Sequence, residues 1–530
     1  MRPGGSDEHA TTRGQSSSAD LSRGLARNSA LIIGSRMATA SLSLVVIPVV
    51  VARLGVAGYG TWEAIIACAT LAAMFQGALT GTMVWRTSQA FGARDFEEIR
   101  RVVRVGVGAT LALGGVLWPA GWVLRHGVVG LLRVPDALRA DASMVFPVVV
   151  GLMLLGGLPE TLEAVVNGCQ RSGLVTLIGA GALLVNYCVV ITAMLFGLGL
   201  WSLALGQGVG LLARLAGAYV AARRLAGAVT LVPGLPRRAD LSSARYSGLM
   251  TVGFVSAALR DQTDKLVLSS LASTTWVGYY SIAARLANLV IEVVRFFYMP
   301  MLTAVGALHA ISDWAGIRQL YSQMMAVVSG LAGAVIVVVA GLSGPLVVLW
   351  MGRPIPEVTP MLLLLLTGTA SAVILTGPGT ALCRGVGRVG IETTYVVVNL
   401  VANFVLTVIL VLTVGPIGTV IASGSTWAVC AVLFAVVLHR RLPLPVEATR
   451  RAGYTALLAA ALAFAVSMIS ARAGVPATRE AALGTLLLYG STVVLVYSAV
   501  AFGLRLLPRP RIRALTTTIL RRGHRDWQDR

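Results

Sequence analysis

Apolar segments, each long enough to cross a bilayer, follow one another almost without a break from residue 29 to residue 507. A span takes about 20 apolar residues, because the hydrocarbon core is roughly 30 Å thick and a helix rises about 1.5 Å per residue. By that measure, spans are expected at 29–52, 61–83, 103–124, 142–165, 174–196 and 199–221, then at 247–270, 277–300, 323–350, 360–383, 391–414 and 416–438. Two more follow at 453–471 and 481–507. Backbone groups in hydrocarbon must be satisfied within their own segment, so these spans are helices. The expected fold class is all-α integral membrane, with about fourteen transmembrane helices.

Composition agrees, with 56% hydrophobic and 12% charged residues where a soluble domain carries about 25% charged. No soluble catalytic domain fits between the spans. The chain has no glycine-rich phosphate loop ending in Gly-Lys, so nucleotide-driven transport is not expected. Its five cysteines, Cys68, Cys169, Cys188, Cys383 and Cys430, lie in or beside apolar segments with no C-x-x-C spacing. Neither a disulfide framework nor a metal site nor a cofactor is expected.

A net charge of +21 could point to nucleic acid, but the distribution of the charges argues otherwise. With the N-terminus inside, thirty arginines fall in the tails and alternate loops of the cytoplasmic side and seven on the opposite side. That asymmetry orients a membrane protein and places both termini in the cytoplasm. Residues 1–28 are expected to be a disordered cytoplasmic tail, and the basic run 508–530 a solvated tail against anionic headgroups. A nucleic-acid surface would need a folded basic face interleaved with aromatics, and the C-terminal run offers only Trp527.

Three anchors recur in the same order, at a nearly constant offset, in the two halves of the chain. Gly58-Tyr59-Gly60 matches Gly278-Tyr279-Tyr280. Asp95-Phe96 with Ile99-Arg100 matches Asp313-Trp314 with Ile317-Arg318. Gly168, Arg171, Gly173 and Asn186 match Gly385, Arg388, Gly390 and Asn403. A repeat of six spans is even, so its copies cross in the same direction, related by a pseudo-two-fold along the membrane normal, with substrate between them. The expected domains are a bundle over 29–221, a second over 247–438, and two extra helices over 453–507. Asp95 and Asp313 stand where helix N-caps are expected, and the glycines where turns call for positive φ.

These residues, with Ile47-Pro48, Arg53-Leu54-Gly55, Asn167-Gly168 and Gly387-Arg388, resemble the flippase branch of the multidrug/oligosaccharidyl-lipid/polysaccharide exporter superfamily, especially bacterial polysaccharide (O-antigen type) flippases. The resemblance spans nearly the whole chain. It implies two six-helix bundles that alternately open a cavity to either side, two added helices, and undecaprenyl-pyrophosphate-linked sugars as substrate. It implies no enzymatic activity. Lipid II flippases share the architecture and place arginines of their first and eighth helices in a cationic cavity.

Ionisable residues inside spans are costly and face protein or water, so they are functional candidates. The seventh span carries Arg260, Asp261, Asp264 and Lys265, the only lysine of the chain. These four share one helical face, where Arg260 with Asp264 and Asp261 with Lys265 have the spacing of stabilising pairs. Either this face pairs with itself along an aqueous crevice, or Asp261 or Asp264 exchanges a proton or sodium ion while Arg260 and Lys265 meet pyrophosphate. In the eighth span Glu292 and Arg295 are i,i+3 partners, Glu292 being a further ion-coupling candidate, and Arg285 has no partner on its own helix. Arg285 and Arg36 of the first span are the leading phosphate contacts, since arginine stays charged and grips phosphate bidentately. The alternative for both is pairing across helices, with Glu63 or Asp261 for instance.

Asn186 and Asn403 read as interhelical glue more than as sugar ligands, and Gln76 as a lesser sugar candidate. Glu160 and Glu163 read as cap or headgroup contacts, and Arg214 as a snorkelling residue. The expected function is ion-coupled translocation of lipid-linked oligosaccharide across the cytoplasmic membrane, by a monomer among membrane lipids, with a polysaccharide polymerase or glycosyltransferase as partner. A lipid II flippase and a multidrug cation antiporter are the alternatives. An integral-membrane polymerase ranks last, because the outer loops are too short to hold both donor and acceptor.

Overall fold

The computed structural model describes residues 8–227, 230–234, 244–298, 301–504 and 506. The described secondary structure is helical throughout: α1 (Glu8–Gly92), α2 (Phe96–Leu131), α3 (Asp136–Leu155), α4 (Gly157–Gly168), α5 (Ser172–Leu195), α6 (Trp201–Ala226), α7 (Ala244–Leu271) and α8 (Thr274–Tyr298). There follow α9 (Met301–Ala310), α10 (Trp314–Gly341), α11 (Ser343–Met351), α12 (Val358–Gly385), α13 (Val389–Val414), α14 (Gly418–Arg441), α15 (Val446–Ala473) and α16 (Arg479–Gly503). Eleven described segments are long and apolar enough to cross a membrane, or twelve with α12, whose halves Val358–Gly368 and Ala372–Gly385 bend by 41°.

The difference from fourteen has two sources. The first two expected spans lie in α1, which is continuous except for the non-helical backbone of Gly55 (φ 71°, ψ 172°). The seventh lies in α7, 28 residues long but burdened by its charge cluster. Helix α1 also starts at Glu8, inside the stretch expected to be a disordered tail, where Ala, Leu and Arg favour continuation of the helix. The expected C-terminal tail at 508–530 lies outside the described residues.

Packing divides the chain into two compact units: Met1–Ile282 with Val396–Ala422, and Ala283–Tyr395 with Ser423–Arg530. These cut across the sequence halves, because α7, the start of α8 and most of α13 go with the N-terminal helices. The first unit has an apolar core of Ile99, Val103, Val107, Leu162, Val165 and Ala222. In the second, α15 and α16 pack on α10 through Val337, Ala459, Tyr497 and Ala501. Their outer faces stay apolar, with Leu457, Leu487 and Leu488 exposed, as a lipid-facing surface requires.

The repeated anchors serve turns and close approaches. Asp95 caps α2 by accepting from Glu98 N at 3.0 Å, and Asp313 caps α10 by accepting from Gly316 N at 2.8 Å. The preceding residues, Arg94 (φ 55°) and Ser312 (φ 59°), are both left-handed. The third anchor closes its turn with Arg171 N to Val166 O at 3.1 Å and, in the second copy, Arg388 N to Cys383 O at 2.8 Å. Positive φ falls on Gln170 (60°) and Gly387 (73°), not on Gly168, Gly173, Gly385 or Gly390 as expected. Gly168 and Gly385 are needed for space instead, since an added Cβ would lie 2.6 Å from Thr87 and 2.7 Å from Val305 respectively.

Gly60 and Gly278 belong to one crossing inside the first unit. A Cβ on Gly60 would lie 1.8 Å from the carbonyl oxygen of Thr274, and one on Gly278 would lie 2.4 Å from that of Val56. Backbone cannot yield there as a side chain can. Gly60→Val is therefore expected to destabilise the fold by about 3 kcal/mol or more, read as a lowered midpoint in thermal unfolding of the purified protein. A midpoint equal to wild type would show that the crossing is not needed.

Candidate functional site

The charged face of α7 is wired to other helices. Lys265 Nζ donates to Glu63 Oε2 on α1 at 2.6 Å, with the two side chains 17% and 20% exposed. Arg260 pairs with its chain neighbour Asp261 at 3.0 Å. The expected pairing of Asp261 with Lys265 along α7 is thus corrected, because a partly buried carboxylate on a neighbouring helix offers Lys265 a drier partner than the exposed Asp261.

Asp264 is 5% exposed. The Tyr280 hydroxyl donates to its Oδ2 at 2.7 Å, and Asn403 Nδ2 and Thr407 Oγ1 donate to Oδ1 at 2.8 and 3.4 Å. Asn399, Asn403 and Thr407 recur every four residues, so they form one polar, buried face of α13. Both amide atoms of Asn399, which is fully buried, and the Asn403 Oδ1 have no hydrogen-bond partner among the described residues. In the same unit the Thr61 hydroxyl of α1 bonds the Thr274 hydroxyl of α8 at 3.1 Å. All of these residues belong to the first unit.

The expected candidates therefore separate. Asp264 is enclosed, with three side-chain donors on its two oxygens. Asp261 has a 60% exposed side chain, and Glu292, 46% exposed, pairs with Arg295 at 2.5 Å as its spacing predicts. Arg285 lies in the second unit, partly buried, with no hydrogen bond or ion pair among the described residues. The Arg36 side chain lies outside the described residues.

Asn403 acts as glue, as read, but the carboxylate it holds was not foreseen. Tyr280, Asn399 and Thr407 were missed, although the i, i+4, i+8 stripe on α13 is visible in the sequence. Gln76 is buried and donates to Leu154 O at 2.6 Å, a packing role. Arg214 does not snorkel. It grips Glu163 bidentately, Nε to Oε1 at 2.8 Å and Nη2 to Oε2 at 2.7 Å, with Glu163 only 6% exposed.

Long helices with exposed apolar faces and charged residues held inside define an integral membrane protein. Two family models match: MatE over residues 32–192 and "Polysaccharide biosynthesis protein" over residues 173–359. No curated protein matches by sequence. Among solved structures, a lipid II flippase, MurJ, in an inward closed conformation superposes with a TM-score of 0.69 at 13% identity, covering 89% of this chain and 98% of that one. An inward-facing multidrug resistance MATE family transporter gives 0.60 at 16% identity, covering 76% and 94%. A Vibrio cholerae MATE transporter gives 0.56 at 17% identity, covering 80% and 98%. The fold is that of these transporters, and each of the two family models matches less than half of the chain. Its long apolar helices make it a multi-pass membrane protein.

Proposed function

We propose that the protein flips undecaprenyl-pyrophosphate-linked oligosaccharide, the repeat unit of a polysaccharide, across the cytoplasmic membrane by alternating access. The observation that carries this reading is Arg285, a permanent cation within an apolar helix that has no acid partner among the described residues. An ionisable group within a membrane span is costly even when only partly buried, and an anionic substrate that arrives transiently gives it a role. The polysaccharide-biosynthesis match, which spans Arg285, supports a sugar-bearing cargo. Asp264 is the proposed coupling group, exchanging a proton or a sodium ion. Arg260, Lys265 and Arg36 are secondary candidates for phosphate. The arginine asymmetry supports cytoplasmic termini, and the partners proposed are membrane lipids and the enzymes that build or polymerise the repeat unit.

A lipid II substrate is the second reading, favoured by the extent of the likeness to MurJ. In a bacterial complementation assay, Arg285→Ala is expected to abolish export of the lipid-linked substrate with unchanged protein in the membrane. Wild-type export by that variant would remove the assignment. Complementation of a strain lacking its lipid II flippase, without complementation of a polysaccharide-export mutant, would replace the first reading by the second.

A further inference from the structure

A second polar cluster lies in the first unit, away from the α7 face. It contains two carboxylates, Glu160 and Glu163, one turn apart on α4, and one guanidinium, Arg214 of α6. Both oxygens of Glu163 are taken by Arg214 at 2.8 and 2.7 Å. The charged groups that act on Glu160 are Arg214 and Glu163, and its hydrogen-bonding neighbour is Thr80 of α1. Facing α2 contributes Gly106 against Thr161 and Thr110 against Gly157.

Thr80 has one hydroxyl proton and two oxygens within reach. Gln76 O lies at 3.1 Å, along its own helix, and Glu160 Oε2 at 3.4 Å. When the hydroxyl donates to the nearer carbonyl, its oxygen faces Glu160 as an acceptor, and only a protonated carboxyl can donate to it. One buried carboxylate, Glu163, and one partly buried, Glu160, against one guanidinium also leave one negative charge without a counter-charge inside a membrane-spanning helix, which a bound proton removes at least cost.

We infer that Glu160 is a proton-binding site, occupied in this conformation, and that Glu160 and Glu163 compete for the single guanidinium of Arg214. Loss of the proton from the Glu160 carboxyl to solvent leaves a carboxylate that draws Arg214 from its bidentate seat on Glu163. The packing of α1, α4 and α6 thereby responds to protonation. The site uses none of the donors that hold Asp264, and it stands whichever substrate the protein carries.

Infrared difference spectroscopy of the purified full chain at about pH 7 tests this, since unperturbed glutamate is fully ionised there. Wild type is expected to show a protonated-carboxyl C=O band that is lost in Glu160→Gln. Glu163→Gln leaves Arg214 with Glu160 as its carboxylate, so the band is expected to vanish there too. A band unchanged in Glu160→Gln overturns the site, and one lost in Glu160→Gln but kept in Glu163→Gln overturns the competition for Arg214. If the Gln variants do not accumulate, Thr80→Val serves. It removes the hydroxyl acceptor, so the wild-type band is expected to move to higher frequency, and an unmoved band refutes the arrangement.

Discussion

Replacing Asp264 with alanine is expected to unfold the centre of the first unit. The Tyr280, Asn403 and Thr407 donors at 2.7, 2.8 and 3.4 Å would all lose their acceptor in a place that is 5% exposed. An orphaned buried donor costs about 1–3 kcal/mol, so the sum over three donors reaches about 3–9 kcal/mol, a large share of the stability of any domain. Thermal unfolding of the purified variant reads this directly. Asp264→Asn separates structure from function. It keeps the volume and one acceptor oxygen, so the protein is expected to accumulate in the membrane while translocation falls by about 100-fold or more, about 3 kcal/mol of coupling lost. Full transport by Asp264→Asn would show that the carboxylate only holds helices together and would end its proposed role in ion coupling.

The second large effect is expected at Lys265 and Glu63. Their 2.6 Å ion pair is about four-fifths buried on both sides. Breaking such a pair from one side leaves an uncompensated charge and costs about 3–5 kcal/mol, whereas replacing both partners by apolar or neutral groups of similar size costs little. Lys265→Met and Glu63→Gln are therefore each expected to destabilise strongly, and the double variant to recover most of the loss. A double-mutant cycle measures the coupling. Additive losses in the two single variants would mean that the pair contributes nothing, and Lys265 would then be released for contact with substrate.

Both expectations rest on residues far apart in the chain, which is where the sequence reading reached its limit. The charges of α7 are conspicuous because few ionisable groups interrupt the apolar segments. Their partners were not. Lys265 and Glu63 are 202 positions apart, and Asp264 and Asn403 are 139 apart. Helical periodicity says that Asp261 and Lys265 share a face, and on an isolated helix they would pair. In the folded chain Asp261 pairs with its neighbour Arg260 and Lys265 meets α1. The same limit explains Arg214, read as a snorkelling residue because its partner Glu163 lies on another helix. The α13 stripe of Asn399, Asn403 and Thr407 was legible as a pattern, but without its carboxylate it could not be told from ordinary interhelical glue.

What the sequence determined by itself is the class of fold: long apolar segments admit only helices in a bilayer. The local stops were also written in it. Asp95 and Asp313 cap their helices as read, and the turns that lead into them recur in both copies of the repeat with the same hydrogen bonds. Such features depend on a few neighbouring residues and on solvent, and so can be read locally. Only the tertiary structure decided that the break between the first two spans is a single left-handed Gly55 within α1, that the packing units cut across the repeat, and which charges meet. A buried charge takes whichever counter-charge or donor the packed helices bring within about 3 Å, and the sequence sets the face of each helix without saying which neighbour it meets.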